Sequence, residues 1–206
     1  VEQDTKLPVD LDNLDIVEAS SYIHERMSSN GYKIIMRHYD PSDFTFFDLF
    51  ELIEEYEADG YEIHMLNIDY LNLMNKRGCD TGPMGADTRS LFRRVRNFIN
   101  NKHRRIFTVT PHQLSTDAKM MTRQGVTNFV KEIANKGYYD SCRTLDQEVD
   151  CEIYLHKEVV NGQSFLTIQR GKHRGLPIIT PLKDLYCVYP FEAVGNIVDD
   201  LLLDDM

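Results

Sequence analysis

The sequence predicts an α/β fold in which a parallel sheet is flanked by helices and gains an antiparallel C-terminal hairpin. Three observations support that prediction. Stretches with apolar residues at helical spacing alternate with short β-prone runs between Asp15 and Thr110. A hairpin pattern follows, in which Val149, Cys151, Ile153 and Leu155 alternate with polar residues and Ser164 to Arg170 pair back after an Asn161-Gly162 turn. No internal repeat, low-complexity tract or long linker interrupts the 206 residues, so one domain, or nearly one, is expected.

The elements follow in order. Ile16, Ala19, Ile23 and Met27 recur at helical spacing and Asn30-Gly31 supplies a stop, which predicts a first helix from Asp15 to Ser29. Lys33 to Tyr39 (KIIMRHY) is β-prone. Pro41-Ser42-Asp43 then opens a second helix through Phe46, Leu49, Phe50, Ile53 and Tyr56, closed at Gly60. The run Tyr61 to Met74 predicts a strand with a polar exit, and KRGCDTGPMGAD after it has loop chemistry. A third helix would bury Leu91, Val95, Phe98 and Ile99. Arg104 to Thr110 is the next strand, and the polar, basic stretch Ser115 to Gly137 is expected to be partly helical at best.

Composition narrows the function classes. With 42% hydrophobic and 27% charged residues the chain has enough apolar material for a core. No apolar run approaches the roughly 18 residues that span a bilayer, and no secretory leader opens the chain, so a soluble cytoplasmic protein with no membrane partner is expected. Cys79, Cys142, Cys151 and Cys187 lack a C-x-x-C pair and read as reduced thiols. A formal net charge of −10 opposes a broad nucleic-acid-binding face, although Arg89, Arg93, Arg94, Arg96, Lys102, Arg104 and Arg105 crowd one stretch. That basic helix reads as a solvated face or a subunit contact. The first residue is Val1, which suggests an excerpt or a processed product of something longer.

Three short segments could carry chemistry. Asp69 closes an apolar strand in HMLNIDYLNLM, and a carboxylate at the C-terminal edge of an open α/β sheet is placed to hold Mg²⁺ beside nucleotide phosphates. An acid there is also a common turn or cap residue. About forty residues on, the strand RRIFTVT ends in PHQLST, with His112 and Gln113 in a polar exit that need bind nothing. Third is GKHRG, Gly171 to Gly175, expected on the strand that follows the hairpin, where a basic turn on a solvated edge is the plain alternative.

Taken together and in this order, Ile68-Asp69-Tyr70-Leu71 with Leu73-Met74, then His112-Gln113, then Lys172-His173-Arg174-Gly175 resemble the C-terminal part of the RecA-like ATPase domain of DnaB-type replicative helicases, phage relatives included. The resemblance covers roughly residues 15 to 191. It implies a partial RecA-like fold and an ATP-dependent hexameric enzyme that unwinds duplex DNA by translocating on single-stranded DNA. By similarity Asp69 is the Walker B acid at the Mg²⁺ site, and Gln113 senses the γ-phosphate of ATP. Lys172 and Arg174 would reach a neighbouring subunit's nucleotide in trans, a role suited to a fixed cation with a forked donor set. The loops Asn75 to Asp87 and Thr116 to Lys136 would line the DNA channel, with Lys76, Arg77, Lys119 and Arg123 as contacts; any one of these is equally ordinary surface charge. Asp150 resembles an acid of the family just before the hairpin and receives no catalytic role. Localisation would be the host cytoplasm for a phage protein.

No G-x-x-x-x-G-K-S/T occurs, so the phosphate-cradling Walker A half and the catalytic glutamate are expected upstream of Val1, and the chain alone should neither bind ATP tightly nor hydrolyse it. Residues 1–191 would then be the C-terminal portion of the ATPase domain and 192–206 an acidic tail. Alternating acids and leucines there could dock on a basic partner such as a primase or helicase loader, or simply fray. Two other readings stay open: a non-catalytic RecA-fold assembly or virion-associated module without a P-loop, and a recombinase-type or DNA-packaging ATPase.

Overall fold

The computed structural model describes residues 15–29, 31–101, 103–175, 181 and 185–191. Lys102 and the acidic tail 192–206 therefore lie outside the described residues. Helix α1 (Ile16–Ser28) forms as predicted, with Val17, Tyr22 and Ile23 exposed. Helix α2 (Phe46–Ala58) begins two residues later than Pro41-Ser42-Asp43 suggests. Thr45 and Asp48 form a reciprocal capping box, with the Thr45 amide donating to Asp48 at 2.7 Å, and this satisfies donors that the first helical turn leaves open.

Strand β1 (Met65–Asn67) pairs in parallel with β2 (Phe107–Val109), in the register Met65 to Phe107, Leu66 to Thr108 and Asn67 to Val109. Helix α3 (Ala86–Ile99) makes the crossover between them and buries Leu91, Phe92, Val95 and Ile99 against Phe46, Leu49 and Ile53 of α2. Phe98 is only half-buried; it stacks on Phe50 at 3.8 Å and carries the Arg104 guanidinium at 3.9 Å. At the start of α3, Gly85 adopts φ 86, and a side-chain carbon there would lie 2.5 Å from the Ser141 carbonyl oxygen. Only glycine allows that close approach.

The stretch after β2 is more ordered than its composition suggests. Helix α4 (Thr116–Arg123) is capped by the Ser115 hydroxyl, and helix α5 (Phe129–Ile133) buries Phe129, Val130 and Ile133. The hairpin forms as predicted, β3 (Cys151–Val160) with β4 (Gln163–His173) around Asn161-Gly162, and β5 (Tyr186–Pro190) pairs antiparallel with β4. These three strands make a sheet of their own rather than an edge on the parallel sheet. The protein is thus a mixed α/β fold with a parallel pair and helices followed by an antiparallel unit, a partial RecA-like arrangement.

Two expected strands differ in extent. Lys33–Tyr39 is extended but unpaired, its Lys33 and Arg37 side chains donating to the Tyr61 and Tyr56 hydroxyls. β-propensity describes a side chain's fit to a pleated surface, and a strand still needs a hydrogen-bonded neighbour. The Tyr61–Met74 run is a strand only at Met65–Asn67; after Asp69 it folds into a 3₁₀ turn, Leu71–Leu73, whose Leu71 and the following Met74 are buried. A short apolar run looks alike whether it is strand or buried turn. No helix among the described residues is long and apolar enough to cross a membrane.

Candidate functional site

Both parallel strands leave their sheet at the same C-terminal edge, and several bonds tie the two exits together. The Ile68 amide donates to the Val109 carbonyl at 3.0 Å, extending the pairing by one residue. The Leu71 amide donates to the Thr110 hydroxyl at 2.9 Å. Beyond these, the Gln113 side-chain amide donates to the Tyr70 hydroxyl at 2.8 Å. Asp69 and Gln113 therefore both follow strands at one edge of the sheet, the position where an open α/β sheet presents groups to a ligand. Asp69 is exposed and has no hydrogen-bond or ion-pair partner among the described residues.

The backbone of Gln113 is fixed from behind. Its carbonyl accepts the Asp140 amide at 2.9 Å, and Leu114 bridges to Tyr139. His112 turns inward, edge-on to Phe92 at 5.8 Å and to Tyr139 at 6.2 Å, with Nε2 3.0 Å from the Asp140 carbonyl. Burial holds its pKa below the usual imidazole range. Thr110 or His112 is expected at the small polar position before Gln113, and Thr110 is the one that bonds across the edge, while the linking role of Tyr70 is not evident from the sequence.

A one-carboxylate edge suits Mg²⁺, which takes one or two carboxylates and completes its shell with water and substrate phosphates. No group of three or more His, Cys, Asp or Glu side chains among the described residues forms a dedicated cage. The donor set thus fits a metal that arrives with a nucleotide.

The KHRG segment sits on β4 itself and the turn after it, not on a later strand. Lys172 Nζ donates to the Asp146 carbonyl. Arg174 donates to the Gln147 carbonyl at 2.7 Å and pairs with Asp150 at 3.3 Å. Asp150 is also gripped by the Arg96 guanidinium at 2.7 Å, and chiefly that hydrogen bonding holds its carboxyl below the usual range. Both cations are thus bonded within their own chain, at a joint between the hairpin and α3.

That joint explains the basic helix. Arg93 pairs with Glu148 at 2.5 Å, Arg89 approaches the same carboxylate at 3.6 Å, Arg94 pairs with Asp80 and Arg96 with Asp150. Arg89, Arg93 and Arg96, expected on a solvated face or at a subunit contact, fasten α3 to the 3₁₀ turn Leu145–Glu148 and its flank, and Arg94 ties α3 to the loop before it. Glu148 is buried, and the Arg93 hydrogen bond keeps its carboxyl below the ordinary carboxylate pKa. A depressed folded-state pKa contributes stability that is present above the unfolded value and lost as pH falls through the folded one. Stability should therefore fall on acidification below about pH 5. Glu148→Gln should remove part of that slope, as read by urea unfolding across the acid range; an unchanged slope would detach Glu148 from it.

The expected DNA contacts divide in two. Lys76 donates to the Asn72 carbonyl at 2.8 Å, and its loop is pinned where the Asn75 amide meets the Phe44 carbonyl and the Asp80 amide meets the Ser90 hydroxyl. Arg77 is exposed. Lys119 and Arg123 are exposed on α4, four residues apart and so on one face, with no carboxylate partner among the described residues.

A family model described as Divergent DnaB-like ATPase matches residues 1–205. No curated protein matches the chain.

Proposed function

The chain belongs to the divergent DnaB-like ATPases, and from that premise we propose that it is the C-terminal part of an ATP-dependent, ring-forming replicative DNA helicase. The observation that carries this reading is the shared C-terminal edge of β1 and β2, where Asp69 leaves β1 and the adjacent Tyr70 hydroxyl accepts the Gln113 side-chain amide. Asp69 would hold Mg²⁺, which would partly neutralise the charge of the nucleotide phosphates. Gln113 is anchored through its backbone and tethered through its side chain, so a change at the phosphate can pass to the chain leading into α4. Lys119 and Arg123 at the far side of that helix would then meet the phosphates of single-stranded DNA. Lys172 and Arg174 would act on a neighbouring subunit's nucleotide, and Lys76 and Arg77 would add to the channel. Phage-like origin, hexameric ring size and a primase or loader partner are parts of the same proposal.

A second reading, a non-catalytic assembly module, is favoured by one observation: Lys172 and Arg174 are both satisfied inside their own chain.

Single-strand binding by the assembled protein provides the test. Each phosphate contact contributes about 0.7 to the slope of log affinity against log salt on a single strand. Lys119→Ala with Arg123→Ala should weaken binding and flatten that slope by roughly 1.4. An unaltered slope would remove the channel placement, and ATP turnover insensitive to single-stranded DNA would sink the helicase reading itself.

A further inference from the structure

The antiparallel sheet has two faces of different fate. Tyr154, Thr167 and Gln169 point inward and are buried against the helices. On the other face Ile153, Leu155 and Val159 are 62%, 59% and 65% exposed. Their cross-strand neighbours on that face include Ile168, opposite Leu155, and Leu166, opposite Lys157, and β5 adds Cys187 and Tyr189 beside them. A contiguous apolar patch across three strands is more than scattered surface hydrophobes, and it marks an interaction surface.

Two cations stand in this patch, Lys157 and Arg170, and neither has a carboxylate partner among the described residues. The arginines of α3 and Arg104, by contrast, are all paired with acids. The chain also leaves the sheet here. The Phe191 amide donates to the Ser164 carbonyl at 2.9 Å, and Lys157 Nζ lies 5.6 Å from the centre of the Phe191 ring. Phe191 therefore lies on the outer face, and the sequence after it, 192–206, carries Glu192, Asp199, Asp200, Asp204 and Asp205, the triplet Leu201 to Leu203, and no lysine or arginine.

We propose that the acidic segment 192–206 docks in cis on the outer face of the β3–β4–β5 sheet, its leucines covering Ile153, Leu155 and Ile168 and its aspartates meeting Lys157 and Arg170. Reach is sufficient, since the eleven residues from Phe191 to Leu202 span up to roughly 35 Å when extended. Tethering to the same sheet gives an effective concentration on the order of millimolar. Charge argues against the obvious rival, because two copies of this face set against each other would bring like cations together. The proposal goes beyond the ATPase reading and does not rest on it.

Cys187, exposed on this face, is a natural probe. In the full chain with Cys151→Ser, each of L201C, L202C and L203C is oxidised mildly and the products are mapped by mass under non-reducing conditions. At least one should form an intramolecular disulfide with Cys187, at least tenfold faster than in the K157E/R170E background. The same rate should fall severalfold at high salt in the single-cysteine variant alone, which keeps the test open if the charge reversal disturbs folding. Equal rates in both backgrounds and at both salt concentrations would overturn the proposal. So would a bridge between two molecules, which would assign the face to a second copy.

Discussion

Replacing Arg174 by alanine is expected to lower DNA-stimulated ATP hydrolysis by the assembled ATPase about 10³- to 10⁵-fold while leaving nucleotide affinity nearly unchanged. A trans-acting guanidinium stabilises charge that develops only as the phosphoryl group transfers, so its loss falls on kcat rather than on binding. In the isolated chain Arg174 is bonded to Asp150 and the Gln147 carbonyl, and magnitudes decide whether that engagement is an obstacle. The ion-paired side chains are 41% and 47% exposed, and such a pair contributes at most about 1 kcal/mol. A finger supplies roughly 4 to 7 kcal/mol of transition-state stabilisation. Asp150 also keeps Arg96 when Arg174 departs, so no unpaired carboxylate is left behind. On the proposed role, swinging outward would cost little beside the stabilisation that a finger supplies. Arg174→Lys, which retains charge but loses the fork, should fall between wild type and alanine. Turnover unchanged by Arg174→Ala would leave the internal contacts as the whole role of the residue, and the non-catalytic reading would stand.

What the sequence made legible was local. Helices α2 and α3 and the β3–β4 hairpin follow from apolar periodicity and from Asn161-Gly162, signals carried within a dozen residues. What it concealed depends on partners far along the chain. The β-prone Lys33–Tyr39 run finds no neighbour among the described strands, and the apolar Leu71 and Met74 are buried by a turn rather than by a sheet. The arginines of α3 suggest a solvated or interfacial helix until Glu148 and Asp150, more than fifty positions away in sequence for Arg93 and Arg96, are seen to engage them. At the candidate site, Asp69 and Gln113 emerged from short motifs taken together. The Tyr70 hydroxyl that joins their two loops spans 43 positions, and no spacing rule could have revealed it.

Phe129→Ala should cost about 3–5 kcal/mol of folding stability, much of what a domain of this size has in total. Phe129 is 1% exposed in α5, within a stretch whose composition predicts little order. Its ring lies 4.7 Å from the His156 ring on β3, and its amide donates to the Glu158 carboxylate at 3.2 Å. Val130 and Ile133 of the same short helix are also buried, so α5 is the wedge between the helical layer and the antiparallel sheet. Truncation to alanine removes the transfer term and leaves a cavity that a five-residue helix, too short to persist on its own, cannot close by shifting as a unit. Phe129→Leu fills most of the volume and should cost about 1 kcal/mol. Urea unfolding separates these outcomes: a lower midpoint at constant slope marks lost packing, whereas a changed slope would mean that the antiparallel sheet detaches before the rest unfolds. An alanine variant within about 1 kcal/mol of wild type would show that α5 is not the wedge. The positions of Lys172 and Arg174 at the end of β4 would then rest on their bonds to the Asp146 and Gln147 carbonyls and on the α3 ion pairs.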